Sequence, residues 1–338
     1  MSEEIYKASS VKLFQRGEAL VIWETFFYLL TISVAITGNS CVLLAVYRNT
    51  RLRTIPNYFI ASLAISDILL PLLCAPQSIT VVILGRWPFN QDVCQAQGFF
   101  VTILACASLQ ILALTAINRF YRFVRTTHYK RIFTKTKTIR MIALCFIFAL
   151  LEPLPYLFSG RRYVFHPGKM FCSQTTEISV PNLLVSVFVG VPTFTLSICY
   201  FLVFRKIQIH QRSVQSNLQS SSSDEITHRD IKITKILFIT VIGFLVCWTP
   251  IVIIDVVDAI RGEVTFPRQV YVLYLLLGNM SAVINPFIYG VLNKSFRDEY
   301  KKMFFCKRHG RIGNMQESAT NSKRPTALVV TPQKTQSV

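Results

Sequence analysis

Five oxygen-bearing side chains stand in stretches with few other polar atoms. Asp67 falls in LAISDILLPLL, Asn39 in TGNSCVLL, Ser108 in CASLQ, and Ser281 and Asn285 in SAVINPFIYG. An ionisable group within an apolar span is expensive and marks a functional site by default. Taken singly, each residue is explained by a helix–helix hydrogen bond worth roughly 0.6–2 kcal/mol. Taken together, five such residues from four segments around one carboxylate have the chemistry to hold a small hard cation such as sodium. A second chemical centre is Arg119, which closes the apolar run of LTAINRFYRF.

These residues need elements that place them at a common depth. The chain has 338 residues, 52% hydrophobic and 16% charged, where a soluble domain carries nearer a quarter charged. Runs of about 20 apolar residues, enough to cross a bilayer, recur near 22–47, 57–84, 94–120, 139–158, 182–204, 232–260 and 270–292. Each is too long for a barrel strand, so each is a helix that satisfies its own backbone. Glu152, Pro153 and Pro155 interrupt the fourth. The first run follows 20 mixed residues and lacks the short core and small-residue cleavage site of a signal peptide. The expected fold is an all-α membrane protein, a seven-transmembrane helix bundle.

About three quarters of the 36 Lys and Arg lie in or beside alternate loops and the C-terminal tail, the pattern of a cytoplasmic side. The N-terminus is therefore expected outside and the C-terminus inside, in a multi-pass protein of the plasma membrane. The net charge of +19 follows from that asymmetry, and nucleic acid is not an expected partner. The expected organisation is an extracellular N-terminus over 1–21, the bundle over 22–292, an amphipathic helix over 293–306 and a disordered cytoplasmic tail over 307–338.

Of nine cysteines, only Cys94 and Cys172 fall in segments expected to be extracellular, where a disulfide is permitted. Their bridge would tie the loop between the fourth and fifth spans across the bundle mouth. Pro192, Pro250 and Pro286 lie inside the fifth, sixth and seventh spans; each removes a backbone donor and kinks its helix. Trp248 lies two residues before one kink and Phe244 one turn earlier, a bulky pair suited to move with it. After the seventh span, Phe296, Tyr300 and Phe304 repeat every four residues, with Ser295 and Asp298 resembling an N-cap pair. This reads as a short helix in the inner interface, with Cys306 a palmitoylation candidate. QSSSSDE in the third cytoplasmic loop, like the tail, offers phosphorylation sites.

Over residues 20–306 the sequence resembles the rhodopsin-like (class A) G-protein-coupled receptors. The resemblance rests on Asn39 in GNS, Asp67 in LAISD, Trp87 in RWPF, Cys94, NRF at 118–120, Pro192 with Tyr200, CWTP at 247–250 and NPFIY at 285–289. It implies that an extracellular ligand favours a state whose sixth helix swings outward. A heterotrimeric G protein then inserts beside Arg119, with Asn118, Phe120, Tyr200 and Tyr289 forming the rest of the switch; arrestin and a receptor kinase are further expected partners. No cofactor is implied beyond an allosteric sodium ion. Asn118 replaces the acid that usually precedes the arginine. Asp230, eighteen residues before Trp248 and so about five turns away on the same face, is the expected second partner of Arg119.

SGRRYVFHPGKMFCSQ, AINRF and YGVLNKSFRDEY look most like melatonin receptors and related orphan receptors. Three polar positions of the melatonin pattern differ: Tyr156 and Val252 replace Asn, and Thr176 replaces Gln. Resemblance places the ligand pocket at Val101, Thr102, Ala105, Tyr156, Gln174, Val252 and Asn279. Val101 stands where aminergic receptors carry an acid, and Asn279 where opsins carry the retinal lysine. Asp255, about two turns beyond Trp248, is placed to pair with a cationic ligand or with Arg161 or Arg162. Within the receptor class the alternatives are a melatonin-like receptor, an orphan peptide receptor and a lysine-free opsin relative; the rival classes are a transporter or channel, and a membrane enzyme. Inverted repeats and metal-binding or nucleophile motifs are not apparent in the sequence, so no enzymatic activity is expected.

Overall fold

The computed structural model describes residues 3–175, 179–216, 228–261 and 264–305. The long helices are α2 (Glu18–Arg48), α3 (Ile55–Leu84), α4 (Gln91–Phe123), α6 (Lys135–Leu151), α8 (Val180–Ser216), α9 (His228–Arg261) and α10 (Arg268–Leu292). Among them lie the short helices α1 (Glu3–Phe14), α5 (Thr126–Ile132) and α7 (Leu154–Phe158), and α11 (Lys294–Phe305) follows α10. β1 (Val164–His166) pairs antiparallel with β2 (Phe171–Ser173), Phe165 opposite Cys172. Among the described residues, seven helices are long and apolar enough to cross a membrane, the fourth spanning Lys135–Phe158. The chain divides into two units, 1–300 and 301–338; Cys306, the tail, the QSSSSDE loop and Thr176 lie outside the described residues.

Local sequence explains where the helices begin and end. Asn90 caps α4, its side chain accepting from Val93 N at 3.1 Å, and Thr134 caps α6, accepting from Lys137 N at 3.4 Å. α3 carries a proline in its first turn and ends on Gly85 with φ +68°. Pro153 and Pro155 divide the fourth span at its end, leaving α7 as a separate turn. By contrast α8, α9 and α10 run continuously through Pro192, Pro250 and Pro286. For α11 the capping residue is Asn293, whose Oδ1 accepts from Ser295 N at 3.1 Å. The Ser295–Asp298 signature thus lies inside the helix, two residues past the true cap.

Among the described residues, the two largest apolar clusters lie toward opposite ends of the bundle. At one end, here the hairpin end, Leu13, Tyr28, Val81, Tyr163, Phe165 and Met170 pack together. At the opposite end, the arginine end, Leu63, Leu112, Leu196, Tyr200, Val241 and Phe244 do so. The outer faces expose Phe148, Phe194, Phe201, Val246 and Phe287. Apolar side chains exposed around so many helices match a protein solvated by lipid.

The spans start earlier than the hydropathy runs, at Glu18 rather than 22 in the first case, because polar first turns still propagate a helix. The N-terminal segment also contains α1, which docks on the bundle. Gly85 has a conformation that side chains rarely adopt, and a Cβ there would stand 2.9 Å from Leu13 O. Arg16 fixes the exit of α1: Nε donates to Leu13 O at 2.7 Å, Nη1 to Glu24 at 2.6 Å, and Nη2 to Val82 O.

Candidate functional site

The polar centre divides in two. Asn285 Nδ2 donates to Asp67 Oδ2 at 2.7 Å, joining α10 to α3. Asn39 serves another purpose. Pro286 has no N–H to give the carbonyl four residues back, Ala282, and Asn39 Nδ2 donates to that oxygen at 3.0 Å. Gly38 makes the approach possible, since a Cβ there would lie 2.7 Å from Pro286 Cγ. Ser281 Oγ bonds Gly278 O at 2.8 Å within its own helix, and Ser108 is buried in α4. Of the five expected oxygens, hydrogen bonding therefore draws Asp67 and Asn285 together, while Asn39 and Ser281 hold helix carbonyls.

At the arginine end, Arg119 is 1% exposed and its Nη2 donates to Asn118 Oδ1. The neutral amide does engage the guanidinium. The expected Arg119–Asp230 tether is not formed: Asp230 Oδ2 accepts from Arg122 Nη2 at 2.8 Å. Arg122 lies one turn nearer the helix end, where α9 begins, and it also covers the Tyr129 ring at 5.3 Å. An ionic link from α4 to α9 is present, displaced by one turn. Phe120 packs with Phe123, Val203, Ile207 and Ile231, joining α4, α8 and α9. Tyr200 and Tyr289 are buried, and Phe244 stacks on Trp248 with centroids 5.4 Å apart.

At the hairpin end, Cys94 and Cys172 are bridged. The bridge holds the β1–β2 hairpin over α4, and Gln97 reinforces it by accepting from Cys172 N at 2.9 Å. The hairpin turn enters the bundle: His166, Lys169 and Met170 are at most 4% exposed. Lys169 Nζ donates to Asp255 Oδ1 at 2.7 Å and stands 4.9 Å from the Tyr274 ring centre. Tyr274 donates its hydroxyl to Asp255 Oδ2 at 3.0 Å. The intramolecular partner of Asp255 is thus Lys169 in place of Arg161 or Arg162. Arg161 donates to Thr175 Oγ1 at 3.2 Å, and the Arg162 carbonyl accepts from Tyr156 at 2.9 Å.

The remaining pocket residues scatter. Tyr156 is fully buried and fastens the loop, accepting from Thr175 N at 3.1 Å. Val101 packs under the hairpin cluster, and Thr102 bonds Gly98 O at 2.8 Å in its own helix beside half-buried Ala105. Asn279 bonds Leu275 O, Gln174 Nε2 is buried without a partner, and Val252 is exposed. Sequence reasoning missed Lys169, Tyr274 and Arg122. It also read Glu152 only as an interruption, although this side chain is 1% exposed with Oε2 unpartnered. The Pro-Gly pair in FHPGKMF, between alternating apolar residues, was the available signal for the hairpin.

The family described as 7 transmembrane receptor (rhodopsin family) matches residues 38–289. Similar proteins include melatonin receptor type 1B-B of Danio rerio, 27% identical over 278 residues, which are 81% of this chain and 79% of that one. Melatonin receptor type 1A of Gallus gallus is 27% identical over 283 residues, 82% and 79% of the two chains. A QRFP-like peptide receptor of Branchiostoma floridae is 25% identical over 315 residues, 88% and 81%.

Proposed function

Because the chain belongs to the rhodopsin family of seven-transmembrane receptors, we propose that it is a plasma-membrane receptor that converts binding of an extracellular ligand into heterotrimeric G-protein activation. The N-terminus and hairpin end face outward, and the arginine end faces the cytoplasm. The observation that carries this reading is the arginine end itself. A buried guanidinium is hydrogen-bonded to Asn118, beside an ion pair that joins α4 to α9. In the closed state Arg122–Asp230 restrains α9. When α9 swings outward, Arg119 becomes available to the G protein, with Tyr200 and Tyr289 supporting the open form, and arrestin and a receptor kinase act at the same end.

A sodium ion near Asp67 would favour the closed state. The residues fit such an ion in kind: a carboxylate bonded to Asn285, Ser108 buried in α4, and the buried, unpartnered oxygen Asn39 Oδ1. The ligand differs from melatonin, given Tyr156 and Val252 at two polar positions of that pattern. Nucleotide exchange on a purified G-protein heterotrimer tests the reading. The receptor accelerates exchange, and Arg119→Ala abolishes the acceleration at equal surface expression. A receptor inert towards every heterotrimer class, across a ligand screen, would overturn it.

A further inference from the structure

The chain's own lysine occupies a cation-directed place at the hairpin end. Lys169 lies in the turn after β1, and its side chain is 3% exposed. Its ammonium meets one oxygen of Asp255 and the face of Tyr274, while the Tyr274 hydroxyl holds the other oxygen. Burying an ammonium is costly unless it is paired and hydrogen-bonded, and this site supplies a carboxylate and an aromatic face. Asp255, in contrast, is 41% exposed, so the carboxylate remains reachable from outside while the lysine does not. Asp258, one turn further along α9, is engaged separately by Tyr271 at 2.8 Å and Thr265 N at 3.1 Å, and does not compete for the ammonium.

We propose that Asp255 and Tyr274 form a binding site for a primary alkylammonium, filled in cis by Lys169, and that a ligand of this class enters by displacing the lysine. The chemistry selects among cations. A 2.7 Å contact to the carboxylate requires an N–H donor, which a quaternary ammonium lacks. A guanidinium stacks on rings, but its two-pronged fork finds one open oxygen here, because the Tyr274 hydroxyl holds the other. The proposal rests on the receptor reading only in taking the entering amine for the physiological ligand.

Chemical complementation of the full-length receptor tests the site. Lys169→Ala removes three carbons and the ammonium, the outline of propylammonium. The thermal midpoint of the purified variant should fall, and millimolar propylammonium should restore about 2–4 °C. Propanol and tetramethylammonium should not, and the Lys169→Ala/Asp255→Asn double variant should not respond. The wild-type midpoint should respond less than that of Lys169→Ala, because there the free amine must first displace the tethered lysine. Should Lys169→Ala prove too unstable to purify, the amine is supplied during expression, and surface yield should rise with propylammonium but not propanol. Equal effects of propylammonium and propanol, or an undiminished response in the double variant, would overturn the proposal. Both readouts work without G protein, so a failure here leaves the signalling reading standing, and the converse.

Discussion

Removing Asp230 should raise signalling in the absence of ligand. The ion pair it forms with Arg122 is 2.8 Å long, and the two side chains are 18% and 23% exposed, Asp230 being the lower. Such a pair lies between a solvated surface pair, worth up to about 1 kcal/mol, and a sheltered charged hydrogen bond worth about 1.5–3 kcal/mol. A net restraint of about 1 kcal/mol on the closed state, once lost, multiplies the open population about fivefold. Asp230→Ala should therefore increase basal nucleotide exchange about fivefold at matched surface expression. Arg122→Ala should do likewise but is less clean, because Arg122 also covers Tyr129. The double variant should add little to either single one, the signature of a shared interaction. Basal exchange in Asp230→Ala equal to wild type would refute the restraint and leave the pair as a surface contact.

Sodium, titrated at constant ionic strength, should lower basal exchange, with a coupling of about 1–3 kcal/mol; Asp67→Asn should remove the dependence, and an unresponsive wild type would count against the ion. Asn39→Leu should lower the thermal midpoint by more than Ser281→Ala. It strands the Ala282 carbonyl that Pro286 cannot serve, at about 1–3 kcal/mol, whereas Ser281 merely adds a second donor to a helical carbonyl; the reverse order would contradict this role. Burial, reinforced by the Lys169 charge, holds the His166 imidazole well below its ordinary value of 6.5, and its Nδ1 already accepts from Lys169 N at 3.1 Å. The folded hairpin thus keeps His166 neutral, while the unfolded segment gains a proton as pH falls below about 6.5. Hairpin stability should be full above that pH and decline below it; amide exchange over 164–173 that is insensitive to pH, once corrected for the intrinsic rate, would refute the assignment.

Hydropathy made the seven spans legible, because a 20-residue apolar run has few other uses. The compartment argument likewise paired Cys94 with Cys172. What stayed hidden depended on tertiary register. Arg119 and Arg122 are one turn apart, and no spacing within α4 says which of them meets the start of α9, 108 residues on from Arg122 in the chain. Lys169 and Asp255 are separated by 86 residues, so nothing local distinguished Lys169 from Arg161 or Arg162. The type of Asn39 suits an ion ligand, and its sequence position gives no sign of another role. Only the geometry places its amide on the carbonyl that Pro286 leaves without a donor.

The junction where α1 meets the bundle has a lopsided tolerance to change. Glu24 is a single carboxylate set between two guanidiniums, accepting from Arg16 at 2.6 Å and from Arg268. All three side chains are largely buried. If either arginine is lost, the acid keeps one partner and the site becomes a balanced pair. If the acid is lost, two sheltered positive charges face one another with nothing between them, and breaking a buried pair in that way costs about 3–5 kcal/mol. Glu24, the anion between the two guanidiniums, is therefore the keystone of the seam joining α1, α2 and α10, and substitution should cost more there than at Arg16 or Arg268.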